Sequence, residues 1–302
     1  MTKTLRLKAF AKVNLGLKVL AKRRDGYHGL RTIYQTVDLY DRLEISVDSS
    51  AAGIDVICND PAVPRGPENL VHRACEFWKK DRRFGGGIRV CLEKRIPAGA
   101  GLGGGSSDAA ATLLGLDHLT GVGRAAAKSF ELAARLGSDV PLFLLGGRVL
   151  GCGRGEEVYP LPDLPARYCL IVFPGFSVST AEAYRELDRR KQRRGRLTED
   201  PGPFSMVSFG GRSSFPLETW GPAENDFERV VFARWPELAS LKRRLIRAGA
   251  EIASLTGSGS AVYAIFPSAR KLVHAAKRTP AGWQAFRTKT LSRQQYQRRV
   301  IE

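Results

Sequence analysis

A glycine-rich loop that leads into helix-forming residues constrains this chain more than any other feature. Residues 97–112 read Pro-Ala-Gly-Ala-Gly-Leu-Gly-Gly-Gly-Ser-Ser-Asp-Ala-Ala-Ala-Thr. Glycine allows positive φ and close approach of the backbone to a ligand. The Ser-Ser-Asp segment offers helix caps, and the alanines behind it favour a helix. The segment therefore predicts a loop whose helix N-terminus binds an anion such as a triphosphate. The residues of this loop are Ala98, Gly99, Ala100, Gly101, Leu102, Gly103, Gly104, Gly105, Ser106, Ser107 and Asp108.

The alternative is a flexible glycine linker, but a linker does not need caps and helix formers directly behind it. Two common phosphate-binding motifs do not match. No lysine follows the glycines, as the G-x-x-x-x-G-K-[ST] loop requires. A dinucleotide-binding loop belongs in the first strand-to-helix turn of a parallel sheet. Here an alternating segment at 88–93 precedes the glycines, and no parallel repeat follows.

The composition indicates a globular chain, long enough at 302 residues for one large domain or two ordinary ones. No apolar run approaches the ~20 residues that span a bilayer, and the N-terminus lacks the apolar core of a signal peptide. The cysteines are odd in number and form no C-x-x-C pair: Cys58, Cys75, Cys91, Cys152 and Cys169. This favours reduced thiols in a cytoplasmic protein and argues against a zinc site.

The net charge of +18 is an excess typical of nucleic-acid-binding proteins. Much of it is local, since residues 185–196 hold seven basic and two acidic side chains, and the stretch after Arg287 is rich in arginine and lysine. Charge runs are usually solvated surface, and a polyanionic substrate would also be attracted. The 185–196 run contains no aromatic residue for stacking on bases. Nucleic-acid binding is therefore the minority hypothesis.

The pattern of elements along the chain predicts an α+β fold. Apolar and polar residues alternate over 5–20, and Asp25-Gly26 is typical of a hairpin turn. Alternation predicts that Lys12 and Asn14 point the same way. Prolines at 160, 162 and 165 suggest a boundary between domains 1–162 and 163–302. Strands are predicted near 31–38, 42–48, 53–58, 87–94, 168–173 and 283–291, with a strand–glycine–strand segment at 251–266. Helices are predicted near 69–80, 106–117, 124–136, 180–192 and 268–278, and over a long zone at 225–248 that is broken near Trp235-Pro236.

Residues suited to phosphoryl transfer lie outside the glycine loop. This chemistry needs a phosphate cradle, a cation and often a carboxylate near the attacking hydroxyl. Asp139 stands between a helix end and an apolar run, although by itself it also fits a cap for a turn that begins at Pro141. Lys12 by itself also fits a solvated strand lysine. A second glycine cluster at 256–260 is equally compatible with a tight strand connection.

Taken together, these segments resemble the GHMP family of small-molecule kinases. The 97–112 loop resembles the ATP-binding motif of that family, and 256–266 resembles its C-terminal motif. The match is closest to members that phosphorylate a cytidine diphosphate ester of methylerythritol on the non-mevalonate route to isoprenoid precursors. The segments that carry this closer match are Ala11–Leu15, Arg24–His28, the triple glycine, Leu136–Phe143, Glu68–Leu70, Pro174-Gly175 with Thr180, and Asn225-Asp226.

The resemblance implies a role for each matching residue. Asp139 would be the catalytic aspartate and Lys12 its partner lysine. The glycine loop would hold ATP together with Asn69, Gly257 and Gly259. The cytidyl substrate would contact Asn14, Tyr27, His28, Thr180 and Tyr184, with the two tyrosines stacking on cytosine, although such aromatics are more commonly core or edge residues. Tyr184 stands where phenylalanine would be equally expected.

The resemblance also implies a ribosomal-protein-like N-terminal domain, a ferredoxin-like C-terminal domain, ATP as co-substrate and Mg²⁺, for which the sequence assigns no ligands. The partner is a small molecule, with no membrane, and the oligomeric state stays open between a monomer and a weak homodimer. A family member acting on mevalonate, homoserine or a sugar is the nearest alternative. The polar stretch 195–221 and the basic tail beyond Arg287 match nothing that can be assigned.

Overall fold

The computed structural model describes residues 2–121, 126–193 and 224–302, so the stretch 195–221 lies outside the described residues. A long antiparallel hairpin organises its first sheet: β1 (Thr2–Lys22) pairs with β2 (His28–Asp48). Gly26 has a φ of +86° in the connection, which confirms the predicted turn. The two strands predicted at 31–38 and 42–48 form one strand, because a register shift opposite Phe10 and Ala11 bends the ribbon without breaking it.

Four shorter strands complete this six-stranded sheet: β3 (Ile54–Cys58), β4 (Gly87–Glu93), β5 (Arg148–Cys152) and β6 (Glu157–Pro160). Their order is β3-β4-β2-β5-β6, with β1 also paired to β2. The β3–β4 pair is parallel and the others are antiparallel. A mainly antiparallel sheet agrees with the predicted α+β class.

Helices cover one face of the first sheet. They are α1 (Leu70–Arg82), α2 (Gly104–Thr120), α3 (Ala126–Leu136) and the short α4 (Leu142–Leu145). A Cβ on Gly115 would stand 2.9 Å from Leu7 Cδ1 and 2.8 Å from Ile45 Cδ1. The absence of a side chain there lets α2 lie close against the strands, and this close packing holds the glycine loop at the start of α2.

The second sheet has four antiparallel strands in the order β10-β7-β9-β8. The strands are β7 (Tyr168–Phe173), β8 (Ile252–Leu255), β9 (Val262–Phe266) and β10 (Gln284–Lys289), and the helices are α5 (Thr180–Arg193), α6 (Glu228–Arg234), α7 (Pro236–Arg247) and α8 (Ala269–Ala276). The predicted break near 235–236 is confirmed, because Trp235 leaves the helical conformation and Pro236 opens α7 directly after it.

The two sheets share a core. Alternate residues of β7 face opposite ways: Leu170 and Val172 pack with the helices of the second layer, whereas Cys169 and Ile171 pack with Val13 and residues of the first sheet. A strand buried on both faces joins the layers rigidly. The site described below lies where this shared core reaches the surface.

The C-terminal residues return to the first sheet. The sequence left this tail unassigned, but it forms α9 (Arg293–Val300), which begins with a capping box between Ser292 and Gln295. Tyr296 is buried in the core of the first layer, and its hydroxyl donates to Phe143 O at 2.5 Å. The division at 162/163 stays a prediction, and the last ten residues pack outside the domain to which it assigns them.

Among the residues that the structure describes, no helix is long and apolar enough to cross a membrane. All five cysteines are free.

Candidate active site

The glycine loop has left-handed backbone at Gly99, Gly101 and Gly103, with φ values of +66°, +78° and +72°. Gly103 is the N-cap of α2 and makes no side-chain cap bond, so the expectation that the Ser-Ser-Asp segment supplies the cap is wrong. The helix begins earlier because glycine takes the left-handed cap position without strain. The amide of Ser107 donates to Gly103 O. The first-turn amides before it are therefore oriented toward an anion.

A cavity of about 390 Å³ lies against this loop. Of the predicted ATP-binding residues, its walls include Asn69, Asp108 and the loop residues 98–106. The side chain of Asn69 also caps α1 by accepting from Val71 N and donates to Pro64 O, so it has a structural role beside the cavity. Ser107 is buried and does not line the cavity.

A buried ionic cluster supports the loop from behind. Lys94 Nζ donates to Asp108 Oδ2 at 2.8 Å and also to Asp41, whose other oxygen accepts the amide of Ile96 at 2.8 Å. Burial, and secondarily the Asp41 charge, raise the pKa of Asp108 to about 7 against the attraction of Lys94. The cluster ties the residue that follows β4 to the second turn of α2. Sequence reasoning missed Lys94 and Asp41.

Lys12 and Asp139 meet in the adjacent cleft. Lys12 Nζ lies 3.3 Å from Asp139 Oδ2, and the lysine side chain is only 3% exposed. Its ammonium also donates to Asn14 Oδ1 at 2.8 Å, which confirms that Lys12 and Asn14 point the same way. The other oxygen of Asp139 accepts from the Tyr34 hydroxyl at 2.9 Å. A buried ammonium needs such partners, so the solvated-lysine alternative is wrong.

The second glycine cluster closes over this pair. Gly257 N donates to Asn14 Oδ1 at 2.8 Å, and Thr256 Oγ1 donates to Gly101 O at 3.0 Å. A Cβ on Gly101 would stand 2.1 Å from Thr256 O, so the two glycine loops touch backbone to backbone. Gly257 lines the cleft together with Ser258, whereas Gly259 packs against Leu255.

Aromatic side chains line the other end of this cleft, whose volume is about 660 Å³. The rings of His28 and Tyr184 stack with centroids 5.0 Å apart and planes 10° apart. Burial, with a smaller contribution from Asp139, raises the pKa of Tyr184 to about 12, so its hydroxyl stays protonated. Tyr27 is 58% exposed, with Arg154 over its ring. Thr180 is exposed and lines the same cleft, with Oγ1 2.7 Å from Ser258 Oγ.

The structure thus collects most of the predicted residues in two adjoining cavities and adds others. Tyr34, Ser258 and Asp188 line the cleft but were not predicted. Tyr34 is the register partner of Asn14 across the hairpin. Counting back from the Gly26 turn would not have found this pairing, because register shifts at Asn14/Gly16 and Val19/Lys22 intervene. The signal for Ser258 was its place between two predicted glycines.

The side-chain oxygens near the loop fit Mg²⁺. This ion takes oxygen ligands and usually keeps several waters beside substrate phosphates. Ser107 Oγ and Asp108 Oδ1 are buried without a hydrogen-bond partner among the described residues. Throughout the described residues, no group of three or more His, Cys, Asp or Glu side chains is placed to hold a metal. A cation here would depend mainly on phosphate oxygens and water.

Sequence comparison gives a family match in both halves of the chain. The family model for the GHMP kinases N terminal domain matches residues 69–147, and that for the GHMP kinases C terminal matches residues 217–281. The chain is 49% identical over 267 residues to the 4-diphosphocytidyl-2-C-methyl-D-erythritol kinase of Solibacter usitatus (strain Ellin6076), covering 88% of this chain and 82% of that protein. It is 40% identical over 292 residues to the same-named kinase of Citrifermentans bemidjiense, covering 96% of this chain and 100% of that protein.

Comparison with solved structures also finds kinases with a similar fold. A crystal structure of 4-(cytidine 5'-diphospho)-2C-methyl-D-erythritol kinase superposes with a TM-score of 0.74 and 36% identity, covering 95% of this chain and 99% of that one. The homoserine kinase of Cytophaga hutchinsonii ATCC 33406 superposes with a TM-score of 0.69 at 18% identity, covering 96% of this chain and 95% of that one. The second match supports the shared fold alone.

Proposed function

Because the chain belongs to the GHMP kinase family, we propose that it transfers the γ-phosphate of ATP to the 2-hydroxyl of 4-diphosphocytidyl-2-C-methyl-D-erythritol, on the non-mevalonate route to isoprenoid precursors. The relatives named for this activity align over nearly the whole chain. The observation that carries the proposal is the position of the Lys12–Asp139 pair. It lies in one cleft that meets the glycine loop at Gly101 and Gly103 and a stacked aromatic pair at the other end.

The two ends of the site suit the two substrates. The glycine loop, with the positive end of α2, suits the triphosphate of ATP. The walls formed by Tyr27, His28 and Tyr184 suit a planar base such as cytosine. Thr180 and Asn14 also line the cleft and suit contacts to the polar part of the acceptor. These roles rest on the lining of the cleft and on the similarity to the named kinases.

In the proposed mechanism, Asp139 accepts the proton of the acceptor hydroxyl or orients it toward the phosphorus. Lys12, 3.3 Å away, offsets the charge of the carboxylate and of the transferring phosphoryl group. Tyr34 donates to the opposite oxygen and limits rotation of the carboxylate. Burial, with the Asp139 charge, raises the pKa of Tyr34 well above its ordinary value, so that it stays a donor.

Mg²⁺ bound with ATP would neutralise charge on the phosphates. Asp108 lines the loop cavity, and its Oδ1 is buried without a hydrogen-bond partner among the described residues, so it is the group of this chain that we assign to such a cation. Asn69 and the amides of the glycine loop would hold the nucleotide. We further propose that the protein works in the reducing cytoplasm, which the five free cysteines support.

A coupled ADP-release assay tests the proposal with three acceptors side by side: the cytidyl methylerythritol substrate, mevalonate and homoserine. We expect rapid ADP release with the first and background release with the others. Preference for mevalonate or homoserine would assign the chain to another branch of the family. If no acceptor supports release, and duplex DNA or RNA binds with a steep salt dependence, the basic surface is the functional one.

A further inference from the structure

His28 is held on two sides by residues of one helix face. Tyr184 stacks on its ring, and Asp188 Oδ1 lies 2.8 Å from its Nε2. Tyr184 and Asp188 are four residues apart on α5 and therefore project from the same face of the helix. The histidine side chain is only 8% exposed, so these contacts fix both the plane and the edge of the ring.

The carboxylate determines which ring nitrogen carries hydrogen. An ionised carboxylate only accepts hydrogen bonds, so Nε2 must be the donor in this contact. In a neutral imidazole the other nitrogen, Nδ1, is then an acceptor. The choice matters for a pyrimidine ligand because cytosine carries an amino donor at C4, whereas uracil carries a carbonyl acceptor there. An Nδ1 acceptor attracts the amino group and repels the carbonyl.

We propose that Asp188 is a positioning residue that holds His28 in the Nε2–H form and thereby makes the cleft select cytosine over uracil. This inference rests on the proposed function, since it takes the cytidyl group as the ligand at His28. In this role Asp188 acts through its contact with His28 Nε2. Its place on α5, one turn beyond the stacking Tyr184, lets one helix position the ring and set its hydrogen-bonding pattern.

The first measurement is the ring ¹⁵N spectrum of the full-length protein without ligand at pH 8. The chain has four histidines, and a His28→Gln variant identifies the signals of His28. We expect the Nε2–H form in the wild type and a mixture of both neutral forms in Asp188→Ala. An Nδ1–H or doubly protonated ring in the wild type, or an unchanged spectrum in the variant, overturns the proposal. This measurement needs no turnover.

The second measurement compares kcat and KM for the cytidyl substrate and its uridyl analogue. We expect Asp188→Ala and Asp188→Asn to lower the ratio of kcat/KM for cytidyl over uridyl substrate about tenfold or more, chiefly through KM. Glu186→Ala is the matched control: it removes a carboxylate that pairs with Arg190 on the same helix and does not line the cleft. An unchanged ratio in the Asp188 variants, or an equal fall in the control, refutes the selectivity role.

The two proposals fail in different ways. If the wild type phosphorylates neither pyrimidine substrate, the proposed function is wrong and so is the selectivity role, whatever the histidine spectrum shows. If the wild type phosphorylates the cytidyl substrate but Asp188→Ala keeps full selectivity, only the role of Asp188 is wrong.

Discussion

Asp139 uses its two carboxylate oxygens for different partners. Oδ2 faces the Lys12 ammonium and Oδ1 accepts from the Tyr34 hydroxyl. The alternative suggested by the sequence, a cap for the turn at Pro141, would instead aim the carboxylate at backbone amides. The short helix α4, for which Pro141 is the N-cap, has no side-chain cap bond. The contacts of Asp139 therefore favour the chemical role.

Replacing either member of the pair should remove most activity without unfolding the protein. We expect Asp139→Asn and Lys12→Met each to lower kcat by about 10²–10⁴-fold, the usual contribution of a positioned acid–base group. ADP release measures the rate, and circular dichroism with a melting curve checks the fold. A rate above about a tenth of the wild-type value in Asp139→Asn would exclude the catalytic assignment.

Tyr34→Phe tests the second contact of Asp139. The ring is buried and stays in place in the variant, but the hydrogen bond to the carboxylate is lost. A hydrogen bond to a charged group contributes about 1.5–3 kcal/mol, so we expect kcat to fall roughly tenfold or more with little change in KM. Tyr40→Phe, on the same strand outside the cleft, is the control. Equal kinetics in both variants would mean that Tyr34 only packs.

Asp108 should make stability depend on pH. Its pKa rises from 3.8 to about 7 on folding, chiefly through burial. A carboxyl with a raised folded pKa binds its proton more tightly in the folded state, so this contribution to stability is lost as pH rises from about 4 to about 7. We expect a lower melting temperature at pH 8 than at pH 5, with a smaller difference in Asp108→Asn. Parallel pH curves for the two proteins would contradict this account.

At the scale of elements, the two glycine loops form one unit although 155 residues separate the contacting Gly101 and Thr256 along the chain. Lys12 N donates to Leu102 O, and Ala261 N donates to Ala100 O. The loops therefore bind β1 and the second sheet to each other through backbone atoms. Sequence patterns locate each loop but not their contact, because such long-range pairing is set by how the two sheets pack.

Gly101→Ala should separate the two loops. The added Cβ would meet Thr256 O at 2.1 Å, and φ at this position is +78°. Because a backbone carbonyl cannot rotate away cheaply, we expect the melting temperature to fall by more than about 5 °C and ADP release to fall with it. Gly121→Ala is the control, since it has a φ of +67° but open space around the new Cβ. Similar melting temperatures in both variants would show that backbone strain alone matters.

At the scale of the whole molecule, the chain passes from the first layer to the second and back. The C-terminal helix α9 covers the first core, with Tyr296 and Val300 buried. A ring atom of Tyr296 would lie 2.0 Å from a Cβ on Gly146, so the aromatic ring packs directly on the backbone. The first layer is therefore complete only when residues from the end of the chain have joined it.

Tyr296→Ala should destabilise the first layer strongly. Removing a large buried aromatic side chain costs about 3–5 kcal/mol, and the hydrogen bond to Phe143 O is lost as well. Urea unfolding measures the loss. Arg298→Ala, an exposed change on the same helix, should alter the free energy of unfolding by less than about 0.5 kcal/mol. Comparable losses in the two variants would show that α9 contributes no core packing.

Local chemistry made part of this protein predictable from its sequence alone. Neighbouring residues determine four of the predicted features: the alternation of β1, the turn at Gly26, the break at Pro236 and the glycine loop. The family resemblance, which named Lys12 and Asp139, also rests on short local motifs. Three features depended on tertiary structure: Tyr34 beside Asp139, Asp188 beside His28, and α9 on the first core. In each, bulged strand register or the packing of distant segments joins residues far apart in sequence. Sequence periodicity does not predict such contacts, because it indicates which face of an element is buried and not which residues cover that face.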